Sequence, residues 1–329
     1  ELLGRVNNKE TSAVINPNAC KLRRVLRCPE CHHPKLDESA DHLLCTACSA
    51  RYPIDAHGIP LLLSGQGKRH KQAQLESDTG QAMLQEYQTI AEDASFASEL
   101  RPNARPWWSF LRPPSVHYDP NTDLTQQHTE VLFSHAGPAT LALSVGGGPT
   151  RHRPGEITLN IESFYNVDLV GDAHDLPLKD NSVDTVICNA VLEHVHDPYR
   201  VAAELKRVLK PGGYLYAEMP FLFFFHGYPN DYTRFTQEGM RRLFDELDDL
   251  KIGISGGPMS ALLQTANIVL QMFIPPSWRI MRKAFNGLFR WLFFPLKYCD
   301  RFLNKLPEAH TVAAGFYAMG RKPQEGQSR

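Results

Sequence analysis

Few cysteines, no long apolar run and no surplus of either charge mark this 329-residue chain, and each shortage narrows what it can be. Seven cysteines occur, four of them crowded between positions 28 and 48, with Cys20, Cys188 and Cys299 scattered. A disulfide-stapled secreted domain is not built that way, so the reading is a reducing cytosol. No stretch of about 18 apolar residues appears, which argues against a spanning helix. The opening ELLGRVNNKE lacks the apolar centre of a secretory leader. Formal net charge is −1, so no overall field draws nucleic acid, and any basic surface must be local. What is present is a 42% hydrophobic content, enough for one large α/β domain with a small appendage.

The crowded cysteines form two pairs, Cys28-Pro-Glu-Cys31 and Cys45-Thr-Ala-Cys48, separated by thirteen residues. A Cys-x-x-Cys turn aims two thiolates at one centre, and two such turns complete the tetrahedron that zinc prefers. Cys28, Cys31, Cys45 and Cys48 are therefore expected to hold a structural Zn2+. Unrelated buried cysteines would have to repeat one spacing by accident. His32 and His33 could compete as ligands, but four thiolates already close the shell and leave no catalytic position. The continuation RYPIDAHGIPLLL completes a pattern over residues 20–64. It resembles small bacterial zinc-ribbon proteins, which are similar to the zinc-ribbon activator subunit of several RNA and protein methyltransferases. The resemblance implies a docking or stabilising module and points to a methyltransferase downstream.

Residues 65–120 read as a linker and helical connection. Positions 65–71 look like a linker with a basic patch, and 72–100 carry a narrow apolar stripe of Leu75, Met83, Leu84, Tyr87 and Ile90 at helical spacing. The stretch 101–114 has too many prolines for a regular element, and Trp107 and Trp108 within it read as a packing anchor or a lid. Residues 124–135 read as the helix before a first strand.

TLALSVGGGPTR is an apolar strand ending in Gly146, Gly147 and Gly148, where the backbone can turn sharply and approach a ligand. EITLNIES places Glu162 at the end of a second strand, sixteen residues after Gly146, where a carboxylate can accept from ribose hydroxyls. Asp172 follows a third strand, and VDTVICN is a fourth ending at Asn189. A helix over about 199–209, a Pro-Gly-Gly turn and a fifth strand follow. Strand ends are where open α/β sheets bind ligands. The third position of a dinucleotide fingerprint is Arg151 rather than glycine, which disfavours hydride transfer.

With GDAHDLP, LEHV and KPGG in order, this half resembles class I S-adenosylmethionine-dependent methyltransferases of the small-molecule, type 11 kind. The resemblance implies an α/β, Rossmann-like seven-stranded sheet with helices on both faces, joined here to the zinc ribbon and to a helical insertion before the last strand. It implies that Gly146, Gly147 and Gly148 face the methionine part of S-adenosylmethionine and Glu162 the ribose. Asp172 and Ala173 would meet the adenine, and Asn189 would line the pocket near the sulfonium. The family has an acid where this chain has Ser144, so the anchoring expected there is weaker or passes to another group.

FHGYPNDYTRFT follows the fifth strand and lies over the expected methyl position. His226 or Asp231 is the candidate base, with Tyr232 and Arg234 orienting an oxygen-rich acceptor. The alternative is a loop held by its own hydrogen bonds. His194 reads as a structural part of the fourth strand's exit. The methyltransferase core is assigned to 121–257, a helical insertion to 258–308 and the last strand to 309–322. Positions 258–307 carry Arg279, Arg282, Lys283, Arg290, Lys297, Arg301 and Lys305 against Asp300 alone. Met281, Phe285, Leu288 and Leu292 recur at helical spacing, Trp278, Trp291, Phe293 and Phe294 add aromatics, and Pro295 should kink the helix. Residues 278–305 thus read as a helix suited to an anionic membrane surface; packing on the sheet or in a homodimer is the alternative. The functional reading is a cytoplasmic methyltransferase, peripheral to the inner face of the membrane, acting on an oxygen of a lipid-linked or envelope saccharide or a similar small lipophilic acceptor. An RNA methyltransferase using Lys21, Arg23, Arg24 and Arg27 on phosphate, and a non-catalytic scaffold, are the competing readings.

Overall fold

Four short segments in the middle of the chain are buried almost without interruption, the pattern of strands covered on both faces. A computed structural model, which describes residues 19–76, 113–118, 131–132, 140–146, 156–163, 167–227 and 230–324, makes them the centre of one sheet. In chain order the elements are α1 (Ala19–Val25), β1 (Leu36–Glu38), β2 (His42–Cys45), β3 (Arg51–Pro53), β4 (Leu61–Leu62) and α2 (Gly65–Leu75). Then come β5 (Ala142–Val145), β6 (Glu156–Asn160), β7 (Leu169–Gly171), β8 (Val183–Asn189), α3 (Pro198–Val208), β9 (Leu209–Pro220) and α4 (Gln237–Leu243). The chain closes with β10 (Asp248–Gly256), α5 (Pro258–Gln271), α6 (Arg279–Phe293) and β11 (Gly315–Arg321).

The large sheet has the order β10-β11-β9-β8-β5-β6-β7-β4. It is parallel from β4 to β9, with β11 antiparallel between β9 and β10. The chain steps outward from β5 to β6 and β7, then returns to lay β8 and β9 on the other side of β5. That reversal opens a crevice at the carboxyl ends of β5 and β8, where such sheets take ligands. The arrangement fits the Rossmann-like methyltransferase fold. The expected seven strands are eight, because β4 leaves the N-terminal region and joins β7 in parallel, Leu61 opposite Val170 and Leu62 opposite Gly171.

The N-terminal region is part of the same core. Leu22, Leu26, Leu43, Tyr52 and Leu62 are buried in one apolar cluster with Leu143, Ile157, Leu169, Leu176 and Leu178. Arg27 seals the joint, pairing with Asp175 at 2.8 Å while its backbone N–H donates to Pro177. The linker read at 65–71 is instead the start of α2, capped by Ser64, whose Oγ accepts from the Gly67 N–H at 3.1 Å. GQGKRHKQAQL has almost no apolar stripe, so its periodicity gives no helix signal; the cap and the partners described below hold it. Of the connection read over 72–100, only the part up to residue 76 is described. Trp107 and Trp108 lie outside the described residues, as does 124–135 apart from 131–132.

The insertion holds α5, α6, a 3-10 turn at Phe294–Cys299 and a single-turn helix at Asp300–Leu303. The stripe read on α6 divides: Phe285 and the buried Phe289 pack with Val116 and Leu263, while Leu288 and Leu292 stay exposed. The helix stops at Phe293, and Pro295 sits in the 3-10 turn Phe294–Cys299, an end where a kink was expected. The single acid among positions 258–307 also has a local explanation. Asp300 is fully buried and accepts from the N–H groups of Met259 and Ser260 and from the Ser260 hydroxyl, capping α5 from a distant part of the chain. Gly257 leaves room for it, since a Cβ there would lie 2.3 Å from the Asp300 carboxyl carbon.

Removing this cap should loosen the insertion. Asp300→Ala is expected to lose about 2 kcal/mol of unfolding free energy in a denaturant titration, and Asp300→Asn to recover part of it.

Candidate cofactor edge and cysteine centre

Each cysteine pair sits on a tight turn whose next residue, His32 or Ser49, has φ of 59°. These twin turns bring Cys28 Sγ to 3.6 Å from Cys48 Sγ and Cys31 Sγ to 3.6 Å from Cys45 Sγ. Four bonds of about 2.3 Å to one tetrahedral ion would set sulfurs about 3.8 Å apart, so the cluster has the size zinc requires. Burial opposes ionisation of Cys45, yet hydrogen bonds from the backbone of Cys48 and Ala47 outweigh it and bring the thiol down to about 6. The Tyr52 hydroxyl lies 3.0 Å from Cys28 Sγ. Neither histidine competes: His32 Nε2 faces Asp175 at 3.2 Å, and His33 lies against Thr46 and Lys35.

At the crevice, Gly146 ends β5 with φ of +67°, and a Cβ there would come within 2.3 Å of Val191. Glycine is therefore required by backbone and by space. Gly147 and Gly148 lie outside the described residues. Glu162 lies two residues beyond β6; Lys71 Nζ and the Ser163 N–H both donate to its Oε1. Asn189, at the tip of β8, has a buried Oδ1 without a partner among the described residues. A ligand donor is what such an acceptor lacks.

Asp172, read as an adenine contact, is held by two histidines. Its Oδ1 accepts from the N–H and Nδ1 of His174 and its Oδ2 from His70 Nδ1 at 2.6 Å, so both oxygens are committed within the protein. The reason is burial: at 5% exposure the carboxylate cannot rely on water and must find donors. Burial alone would raise its pKa, but the bonds from His174 and His70 reverse that and take it to about 2. His70 and Lys71 are neighbours on α2, so one helix reaches both acids expected at the nucleoside. Ala173, half-buried beside Asp172, packs against the core.

The loop after β9 brings together residues read separately in the sequence. Asp231 accepts from the His226 N–H at 2.9 Å and from both terminal nitrogens of Arg234. Burial pushes its pKa up, but Arg234 and the His226 amide prevail and hold it low. With its carboxylate so engaged, Asp231 fixes the loop. Tyr232 anchors by backbone, its N–H donating to Glu193 O at 2.7 Å, while its ring is exposed. His226 turns inward: Nε2 is 3.6 Å from Glu193 Oε1, and that carboxylate raises the imidazole pKa against the opposing effect of burial. Glu193 was missed in the sequence. The available signal was an acid inside the apolar run AVLEHV, a position that buries it completely.

Residues 155–217, from the start of β6 into β9, match the family described as Methyltransferase domain. An uncharacterized methyltransferase of Schizosaccharomyces pombe is 40% identical over 78 residues, 23% of this chain and 28% of that protein. A demethylmenaquinone methyltransferase of Staphylococcus aureus is 42% identical over 87 residues, 23% of this chain and 36% of that protein. This chain thus spans well under two thirds of the length of these relatives. Among solved structures, phosphoethanolamine N-methyltransferase 2 of Haemonchus contortus, in complex with phosphomonomethylethanolamine and S-adenosylhomocysteine, aligns over 60% of this chain and 53% of its own, with 15% identity and a TM-score of 0.37.

The low Asp172 pKa carries a stability consequence of definite sign. A depressed carboxylate stabilises the fold above the ordinary aspartate value, and that contribution is lost as pH falls toward the folded value. Asp172→Asn should therefore be less stable than the parent by about 2 kcal/mol at pH of about 6. The gap should narrow between pH of about 4 and about 2, as measured by denaturant unfolding at each pH.

Proposed function

We propose that the chain is an S-adenosylmethionine-dependent methyltransferase, most consistent with transfer to an oxygen of a lipid-linked or envelope saccharide or another lipophilic acceptor. The observation that carries the reading is the unpartnered Asn189 acceptor beside a glycine turn at the switch point of the sheet, within the segment that matches a methyltransferase domain. The bound cofactor supplies an electrophilic methyl group on sulfur. The protein's task is alignment, because an in-line displacement gains most from holding its partners in place. Gly146, with Gly147 and Gly148, admits the methionine part close to the backbone. Glu162 Oε2 takes the ribose hydroxyls while Oε1 stays with Lys71. Asp172 and Ala173 form the wall at the adenine, Asp172 through its backbone. Asn189 lies toward the sulfonium.

On the acceptor side, Asp231 and Arg234 hold the loop, Tyr232 offers an exposed ring, and His226 with Glu193 provides a place for a proton. Cys28, Cys31, Cys45 and Cys48 hold a structural zinc that braces the ribbon against the sheet. Exposed apolar side chains on the insertion, among them Phe273, Ile280, Leu292 and Phe302, stand beside Arg279, Lys283 and Arg301 and favour an anionic bilayer surface where a lipophilic acceptor resides. The RNA reading loses support because Arg23 pairs with Glu38 at 3.0 Å and Arg27 is buried against Asp175.

Calorimetry with S-adenosylmethionine is expected to show binding that Glu162→Ala weakens by roughly 10- to 100-fold, the worth of hydrogen bonds to a charged acceptor. His226→Asn should leave that affinity unchanged and lower turnover in a labelled-methyl assay over lipid extracts. Absence of cofactor binding by the parent protein would remove the enzyme reading. Flotation with anionic vesicles should carry the protein upward, and Ile280→Glu with Leu292→Glu should abolish it; no flotation by the parent protein would remove the membrane part alone.

A further inference from the structure

Glu193, His194 and His226 form a cluster that hydrogen bonding within the protein does not satisfy. Glu193 is fully buried, and neither carboxylate oxygen has a hydrogen-bond partner among the described residues. His194 Nε2 lies 3.7 Å and His226 Nε2 3.6 Å from Glu193 Oε1, too long for hydrogen bonds. The other nitrogen of each ring is already assigned. His194 Nδ1 lies 2.6 Å from the Asn230 carbonyl oxygen, and His226 Nδ1 lies 3.2 Å from the Phe224 carbonyl oxygen. A carbonyl only accepts, so each Nδ1 carries the hydrogen, and in the neutral ring Nε2 is left with a lone pair. Arg234 Nη2, 3.5 Å from His226 Nδ1, is too distant to alter this. Asp231 Oδ2, 3.6 Å from the same Nδ1, favours a hydrogen there as well.

With both rings neutral, two lone-pair nitrogens and a carboxylate thus face one buried spot. A single proton would satisfy one contact and leave the second imidazole and the other carboxylate oxygen unmatched, at the cost of burying unpaired polar groups. A cation satisfies all of them. The rings stand nearly perpendicular, 85° apart with centroids 5.0 Å apart, as ligands around a common ion stand and stacked rings do not. One donor atom from each residue lies within 4.8 Å of the others, and bonds of about 2.0 to 2.2 Å would draw them inward by a fraction of an ångström to about one.

We propose that Glu193, His194 and His226 bind a divalent first-row transition ion, separate from the cysteine centre. Two imidazoles and one carboxylate suit zinc, manganese, cobalt or ferrous iron rather than a soft thiophilic ion, and they leave coordination positions open to an oxygen donor. The backbone carbonyls of Asn230 and Phe224 orient the ligand rings, as outer partners of metal-bound histidines do. On the methyltransferase reading this names a feature of the acceptor end, an oxygen-bearing acceptor that a divalent ion can hold; the metal site itself is tested without cofactor or acceptor, so either proposal can fail alone.

The test uses the full chain with its cysteine centre loaded with zinc. Added Mn2+ should bind at one further site per chain, read as loss of the free-ion electron paramagnetic resonance signal. Added Co2+ should give the weak visible bands of nitrogen and oxygen ligands without thiolate charge transfer. Glu193→Gln and His226→Asn should each weaken this binding by at least about a hundredfold, more than loss of an outer partner costs. Without metal, Glu193→Gln should melt at or above the parent protein, because it removes a buried charge that has no partner. Manganese should raise the melting temperature of the parent and not of the variant. No uptake beyond the cysteine centre, or uptake that both substitutions leave intact, overturns the proposal. A metal-free Glu193→Gln that melts well below the parent also overturns it, since the carboxylate would then already be satisfied by the protein.

Discussion

A carboxylate taken out of water must be given donors, and acids along one edge of the large sheet impose that demand on everything packed against it. Glu162 and Asp172, just beyond the tips of β6 and β7, are met by Lys71 and His70, adjacent residues of α2. Asp172 also takes its neighbour His174. Asp231 is met by Arg234. Glu193, the most deeply buried of them, receives no hydrogen bond from the described residues. Where α2 lies and how the loop after β9 closes both follow from the same electrostatic requirement.

That requirement joins the cysteine-bearing region to the sheet. Glu30, inside the first cysteine pair, accepts from the Gly65 N–H at 2.7 Å, at the start of the helix that carries His70 and Lys71. β4, immediately before that helix, hydrogen-bonds to β7, just ahead of Asp172. The cysteine turns, the extra strand and the acids beyond β6 and β7 are therefore consecutive contacts in one packed unit. A ribbon placed this way can brace the edge on which a cofactor would rest, because the side chains that meet Glu162 and Asp172 depend on where the ribbon holds α2.

The insertion shows the opposite economy. α5 and α6 pack on each other and on Val116 through a small apolar cluster, capped by the buried Asp300. Their remaining apolar residues stay exposed beside a row of cations. Among the described residues only one flank of α6 is packed internally, and the other is left exposed beside those cations.

Motifs whose residues lie close together were legible in the chain itself. The paired cysteine spacings, the strands ending at Gly146 and Asn189 and the delayed last strand all declare themselves through local spacing and period, which depend on neighbours a few positions away; Pro211 to Gly213, read as a turn, lie inside β9. The eighth strand, the helix at 65–75 and the commitment of Asp172 were not legible. β4 has two residues and α2 almost no apolar stripe, so neither has a local signature; His70 meets Asp172 across 102 positions and Lys71 meets Glu162 across 91. The sequence by itself determined which chemical groups stand at the ends of strands. Only the tertiary structure decided which of those groups are already neutralised and which still face a partner yet to arrive, because burial and long-range donors are set when distant segments pack together.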